Sequence, residues 1–319
     1  MNFVLDEMTA LRYFMPLIIE GNKRGITSNV FIGSNNKYTS PQKYLKKIRE
    51  LSKQFKFKTD GLNGQHVKGV TFFVEGVGIG KIKVDGKIIV LTSLRDFSVI
   101  YDYYVKQSSN IIFPSKFFAE HYNTISEKNL YLGCPKYDID LNDNEIRSKY
   151  DINNDKVALC IFPKPEFMNP TMYIQLLNIY EYFKQMGYVI VVKTRGKDSI
   201  PNQYRGDKYF EDYSWFPHTT MELIKISDIV MNFDSTSIKE CIMLNKPLVN
   251  FGVKPTSFFS FLYNDSYAPR LNMGICFEEL KKIVCRLVTT DLSEHFNDAR
   301  DKYLYQPCNV SEKILDKVL

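Results

Sequence analysis

An α/β fold of two doubly wound domains is predicted by three observations. Short, nearly continuous apolar runs recur along the whole chain. Most are followed by a polar or glycine-containing turn and then by a helix-spaced segment. A stretch poor in large apolar residues divides the sequence near its middle. At 319 residues the chain is about twice a common domain length. Its 44% hydrophobic content suffices for two cores of roughly 150 residues each.

The first strand is FVL, followed by Asp6, Glu7 and a helix whose stripe is Leu11, Phe14, Leu17 and Ile18. SNVFIG gives a second strand ending at Gly33. Tyr44 to Phe57 has helical spacing at Leu45, Ile48 and Leu51, with its lysines on a solvated face. VTFFV runs into Glu75 and the glycine-rich Gly76 to Gly80. KIIVL and SNIIFPS are further strands, and KFFAEHY is a helix. Gly76 to Gly86 reads either as a crossover turn or as a hairpin insertion. The segment Leu141 to Lys156, rich in Asn and Asp, is the expected hinge, with a short helix near Glu145. Beyond it VALCIF, YVIVVK, DIVMNF and PLVNF are strands. Between them lie helices at Met172 to Met186, MELIKIS and SIKECIML. Domains of 1–140 and 141–319 follow, and the binding surface is expected in the cleft between them.

Lys and Arg number 42 against 36 Asp and Glu, a formal charge of +6 that fits an anionic substrate or an anionic membrane face. No zinc-finger, RNP-like or helix-turn-helix pattern is present, which argues against nucleic acid. The opening MNFVLDEMTA has no basic n-region, and no apolar run approaches membrane-spanning length. The expectation is a cytoplasmic protein without a signal peptide. Six widely spaced cysteines form no CxxC or Cys-His cluster. They are expected to be buried reduced thiols, and no metal site is expected.

The strongest constellation is SDIVMNFDSTSIKECIML. After the strand ends near Phe233 the chain turns through Asp234, Ser235, Thr236 and Ser237 straight into a helix. Free backbone amides and short hydroxyls there suit a diphosphate. Glu240, one turn on, can accept hydrogen bonds from the two hydroxyls of a ribose. The plainer alternative is that Asp234 or Ser235 caps the helix and Glu240 is solvated. Lys193 and Arg195, ending a parallel strand, can neutralise phosphates. His218, before the MELIKIS helix, can lie over a base or sugar. In the first half, Asp6, Glu7 and Glu75 follow apolar strands and are rival candidates for a general base, with capping and turn formation as their structural alternatives. GVGIG is not a dinucleotide fingerprint, since no clear helix follows, and reads as a flexible turn.

At this point the chain resembles the two-Rossmann-domain, GT-B-like glycosyltransferase superfamily. The CDP-glycerol glycerophosphotransferases and the non-hydrolysing UDP-N-acetylglucosamine 2-epimerases are the branches it is most similar to. FPSKFFAEHY followed by LYLGCPKYD matches a glycine-x-proline-basic-x-aspartate pattern at Gly133, Pro135, Lys136 and Asp138. VVKTRGKD matches a lysine-x-histidine-proline segment at Lys193 only. ELIKISDIVMNFDSTSIKECIMLNKPLVNF resembles the donor-binding signature. The resemblance implies Ser235 and Ser237 near the donor phosphates, Glu240 at the ribose and Asn245-Lys246-Pro247 before the next strand. The tail, with Tyr303-Leu304 and Ser311 to Ile314, resembles closing C-terminal helices. KIIVLTSLRDF lacks the histidine-glycine pair of the glycerophosphate transferases.

These features imply an N-terminal acceptor-side domain and a C-terminal nucleotide-donor domain that includes the closing helices. The expected activity is sugar transfer from a UDP- or CDP-linked donor to a hydroxyl of a glycan or related surface polymer. No metal and no tightly bound cofactor are implied, and a peripheral membrane contact is compatible. Three alternatives stay open: a glycerol- or ribitol-phosphate transferase, a UDP-sugar 2-epimerase-like enzyme, and a non-catalytic binding or assembly protein.

Overall fold

The computed structural model describes residues 1–33, 41–92, 103, 106–153, 156–195, 200–212, 215–254, 260–304 and 308–319. The chain forms two compact units, Met1–Ile139 with Asp301–Leu319, and Asp140–Arg300.

The first unit holds β1 (Asn2–Leu5), β2 (Asn29–Ile32), β3 (Lys58–Gly61), β4 (His66–Lys68), β5 (Thr71–Val74), β6 (Lys83–Asp85), β7 (Ile88–Leu91), β8 (Asn110–Phe113) and β9 (Asn129–Tyr131). Seven of these make one parallel sheet in the order β3-β2-β1-β5-β7-β8-β9. The central strands β1 and β5 are buried at all four positions, as nearly continuous apolar runs require. Phe3 stacks on Phe72 across them with ring centroids 5.1 Å apart. The remaining pair, β4 and β6, forms a separate parallel ribbon, so residues 76–86 do not make the hairpin that the sequence left open. Helix α1 (Leu11–Lys23) turns Leu11, Phe14, Leu17 and Ile18 into the core. α2 (Pro41–Gln54) buries Tyr44, Ile48 and Leu51, and α3 (Lys116–His121) follows β8.

The second unit holds α4 (Asp143–Lys149), β10 (Lys156–Ile161), α5 (Pro170–Gln185), β11 (Tyr188–Arg195), β12 (Lys208–Asp212), α6 (Thr219–Ile226), β13 (Ile229–Asn232), α7 (Ile238–Met243), β14 (Leu248–Phe251), β15 (Arg270–Leu271), α8 (Phe277–Thr289) and α9 (Ser293–Ala299). Its parallel sheet has the order β12-β11-β10-β13-β14-β15. α4 lies in the Asn- and Asp-rich segment because Asn142 caps it, accepting from the amides of Asn144 and Glu145. Its outer end is fixed by Glu222 of α6, whose buried carboxylate accepts from Lys149 at 2.7 Å and from the Tyr150 hydroxyl at 2.6 Å.

Each unit is therefore a Rossmann-like, doubly wound domain with a reversal of strand order beside its first strand. In the first unit the reversal lies between β1 and β5, in the second between β10 and β13. Ligands of such sheets bind outside the carboxyl ends of the strands at these points.

Sequence order groups the tail with the second domain, but residues from Asp301 onward cluster with the first unit. α10 (Val310–Val318) is tied there by Arg24 to Asp316 at 2.6 Å and by the Ser311 amide donating to Asp138 at 2.8 Å. The Ser115 hydroxyl also donates to the Tyr303 carbonyl at 2.6 Å. The cysteines correct a second expectation. All six are free thiols, but only Cys134, Cys160 and Cys241 are buried, whereas Cys276, Cys285 and Cys308 are exposed. The exposed three lie on or beside amphipathic helices, where apolar neighbours in sequence are on the opposite face.

Candidate functional site

In the second unit the segment after β13 sits beside the strand reversal. Asp234 adopts a left-handed conformation, φ 49°, which non-glycine residues seldom hold without support. The support is a set of hydrogen bonds to its buried carboxylate. Asn250 Nδ2 donates to Oδ1 at 2.8 Å, the amides of Val253 and Lys254 donate to Oδ2 at 2.9 Å each, and the Tyr263 hydroxyl lies 3.2 Å from Oδ1. Arg270 adds an ion pair at 3.4 Å. Burial alone raises the carboxyl pKa, but the bonds from Asn250, Val253, Lys254 and Arg270 outweigh it and hold the pKa below the usual value. The carboxylate thus fastens this turn to the loop after β14.

With Asp234 engaged there, the turn presents the hydroxyls of Ser235 and Ser237, 3.2 Å apart, and the exposed Thr236. Ser237 is the N-cap of α7 but makes no side-chain cap bond. α7 has only six residues, too short for a large axial dipole, so the hydroxyls and nearby cations matter more than the sequence suggests. Glu240 is buried at 4% exposure, not solvated. Burial, then the Glu240 charge, push the adjacent Cys241 thiol well up. Asn245 turns the chain out of α7 at φ 55°, and its side-chain oxygen accepts from Arg300.

Cations missed by the sequence reading gather at this edge. Lys254 Nζ lies 3.3 Å from the Asp234 carbonyl oxygen and 4.4 Å from the centre of the Phe167 ring. Lys164 Nζ lies 5.4 Å from the same ring centre. Both lysines follow strands, β10 and β14, and the rule that drew attention to Lys193 would have found them. Lys193 is buried near the end of β11, in register with Ile161. Arg195 is the last residue of β11, and its side chain lies outside the described residues, as do Gly196 and Lys197. His218 is buried as the N-cap of α6, where its carbonyl accepts from the amides of Met221 and Glu222.

In the first unit, β1 and β5 pair at Asn2 to Thr71 and Phe3 to Phe72. Carried forward, that register sets Asp6 level with Glu75 at the carboxyl edge. Asp6 is 2% exposed, and its Oδ2 accepts from Lys81 at 2.7 Å. Burial first, and the Asp6 charge second, push up the Tyr44 phenol, which donates to the Leu5 carbonyl at 3.1 Å. Glu7 and Glu75 are half-buried, Glu75 at φ 51°. Among the described residues no group of three or more His, Cys, Asp or Glu is placed to hold a metal, and no helix is long and apolar enough to cross a membrane.

No family model matches the chain, and no curated protein matches its sequence. Solved structures share the fold. UDP-GlcNAc 2-epimerase from Neisseria meningitidis, bound to UDP-GlcNAc, has a TM-score of 0.61 at 13% identity, covering 99% of this chain and 97% of that one. The wall teichoic acid polymerase TagF has a TM-score of 0.64 at 11% identity, covering 99% and 87%. The glycotransferase of kitacinnamycin has a TM-score of 0.57 at 10% identity, covering 100% and 98%. The fold is thus GT-B-like, in agreement with the resemblance carried by the sequence motifs.

Proposed function

We propose that this protein is a glycosyltransferase that moves a sugar from a UDP- or CDP-linked donor to a hydroxyl of a glycan or related surface polymer. The observation that carries the reading is the edge beside β13. There the Ser235 and Ser237 hydroxyls and the Lys254 ammonium converge while the Asp234 charge is compensated by Asn250 and Arg270. Hydroxyls and a cation, with the adjacent Asp234 charge compensated, suit a diphosphate.

In this reading the second unit binds the donor, with Glu240 at the ribose, His218 at the sugar or base and Thr236 beside the phosphates. The acceptor oxygen forms a bond to the anomeric carbon while the bond from that carbon to the diphosphate breaks, and the electron pair leaves with the nucleotide. Lys193, Arg195 and Lys254 stabilise that departing charge without a bound metal. A carboxylate of the first unit takes the acceptor proton. Burial and the Lys81 pair count against Asp6 in that role, and Glu7 and Glu75 are the other two candidates.

The charge distribution supports a peripheral contact with an anionic membrane face, on the cytoplasmic side. Residues 41–68 contain eight Lys and Arg against two Asp and Glu, so this one segment accounts for the chain's whole excess of +6.

Titration with UDP-sugars and CDP-glycerol tests the donor reading. Binding of a UDP-sugar with transfer to a glycan is the expected result. A preference for CDP-glycerol would favour polyol-phosphate transfer, the reading to which the TagF likeness lends weight. Conversion of a UDP-sugar without acceptor would indicate epimerisation, and binding without turnover an assembly role. Failure of every nucleotide to bind at millimolar concentration would remove the proposal.

A further inference from the structure

The glycine-rich segment Gly76 to Lys81, read from the sequence as a flexible turn, is built around one buried carboxylate. Val77, Ile79 and Lys81 each donate a backbone hydrogen bond three residues back, to Val74, Gly76 and Gly78, so the segment is a chain of tight turns. Gly78 has φ 89°, and a Cβ there would come 2.8 Å from Val4 and 3.4 Å from the Asp6 side chain. A Cβ on Gly33 would come 1.9 Å from Asp6 Oδ1. Two positions without side chains thus leave the slot that the Asp6 carboxylate fills. The close approach at Gly78 lowers the 3-10 turn Ile79–Lys81 onto Asp6, where Lys81 Nζ meets Oδ2 at 2.7 Å.

The two partners differ in accessibility. The Asp6 side chain is 2% exposed and that of Lys81 48% exposed. Among the described residues Asp6 Oδ1 has no hydrogen-bond partner. An ammonium has three donors. One is used on Asp6, which leaves two at the carboxyl edge of the sheet, beside the strand reversal between β1 and β5. Glu75 stands at the head of the same segment, and Glu7 follows Asp6 in the chain. Donors from a fixed lysine together with acceptors from glutamates match the hydroxyls of a neutral sugar or polyol. A phosphate would meet the carboxylates as like charges.

We propose that this edge of the first unit is a subsite for a neutral polyhydroxylated acceptor end. Lys81 is its hydrogen-bond donor and specificity-determining residue, and Asp6 is the positioning residue that holds Lys81. The assignment rests on the reading of the first unit as the acceptor side. Gly33 and Gly78 serve it by giving the carboxylate its room.

Saturation-transfer NMR on the whole chain tests it, with methyl glucoside, methyl N-acetylglucosaminide and glycerol as neutral probes and glucose 1-phosphate and glycerol 3-phosphate as anionic ones. Parallel UDP titrations report the other unit. The neutral probes are expected to bind and the phosphates to bind more weakly. Lys81→Met should weaken the neutral probes by about tenfold, the scale of one charged hydrogen bond. Lys81→Arg should recover most of that, and UDP affinity should stay unchanged. Asp6→Asn should weaken neutral binding although Lys81 is intact.

Either single change can destabilise the fold by removing one partner of a pair whose carboxylate is buried. The double variant Asp6→Asn/Lys81→Met removes both charges and keeps the test decisive, with thermal unfolding as the control. Equal binding of the phosphates, or undiminished neutral binding in the folded double variant, would overturn the assignment. Nucleotide binding without any neutral-probe binding would overturn it and leave the donor reading intact. The reverse pattern would do the opposite.

Discussion

Asn250 grips Asp234 from two directions: its Nδ2 donates to the carboxylate at 2.8 Å, and its Oδ1 accepts the Asp234 amide at 2.9 Å. Asn232 Nδ2 donates to the same Oδ1 at 2.7 Å, so one fully buried amide side chain joins the ends of β13 and β14. Asn250→Ala would strand a buried carboxylate and a buried amide together. It should lower stability by about 2 to 4 kcal/mol, the sum expected for charged and neutral buried bonds. Urea unfolding measures this, and a change below about 0.5 kcal/mol, the surface-substitution range, would refute the structural role.

The same carboxylate makes a pH prediction. The folded-state pKa of Asp234 lies below its unfolded value, because the bonds it accepts outweigh its burial. Its stabilisation is therefore complete above the ordinary aspartate pKa of about 3.9 and is lost as pH falls through the lower folded value. Asp234→Asn should flatten this part of the acid limb in a plot of unfolding midpoint against pH. An unchanged acid limb would show that the turn is held by other means.

The strands legible in the sequence were those buried on both faces, such as FVL, VTFFV and VALCIF, since burial leaves a continuous apolar run. β3, with Lys58, Thr59 and Asp60 all exposed, sits at a sheet edge and leaves no such trace. β15 is two residues long, with too little pattern to read. The return of the tail to the first unit is a long-range pairing, fixed by contacts such as Arg24 with Asp316, and local periodicity carries no record of it. At the edge beside β13 the segment Asp234 to Glu240 stands out because a polar turn breaks two apolar runs. The direction of the Asp234 carboxylate does not, since its partners lie 16 to 36 residues away.

Glu240 and Tyr150 separate binding from stability. If Glu240 bonds the ribose, Glu240→Ala should weaken nucleotide affinity by about 1 to 3 kcal/mol, roughly 5- to 150-fold. Tyr150→Phe removes a 2.6 Å bond to buried Glu222 and should cost about 1 to 3 kcal/mol of stability with nucleotide affinity unchanged. Isothermal titration beside urea unfolding checks both. Unchanged affinity in Glu240→Ala would move the ribose elsewhere.

The concentration of charge on α2 makes the last prediction. Lys46, Arg49 and Lys53 are exposed along one stretch of the helix, beside Leu45 at 37% exposure and with Glu50 as the single acid between residues 41 and 54. A basic surface with an exposed leucine suits an anionic bilayer, where each lysine or arginine contributes about 1 kcal/mol. Replacing all three by glutamate should remove at least about 3 kcal/mol of adsorption, roughly 150-fold, by the same scale. Sedimentation with phosphatidylglycerol vesicles should then show binding by the native chain that weakens with salt, and little binding by the triple variant. Phosphatidylcholine vesicles should bind neither. Because these residues lie on the far side of α2 from Tyr44, Ile48 and Leu51, which are buried, the fold should be retained. Equal sedimentation of both proteins, or binding indifferent to salt, would mean that the excess charge serves solubility alone.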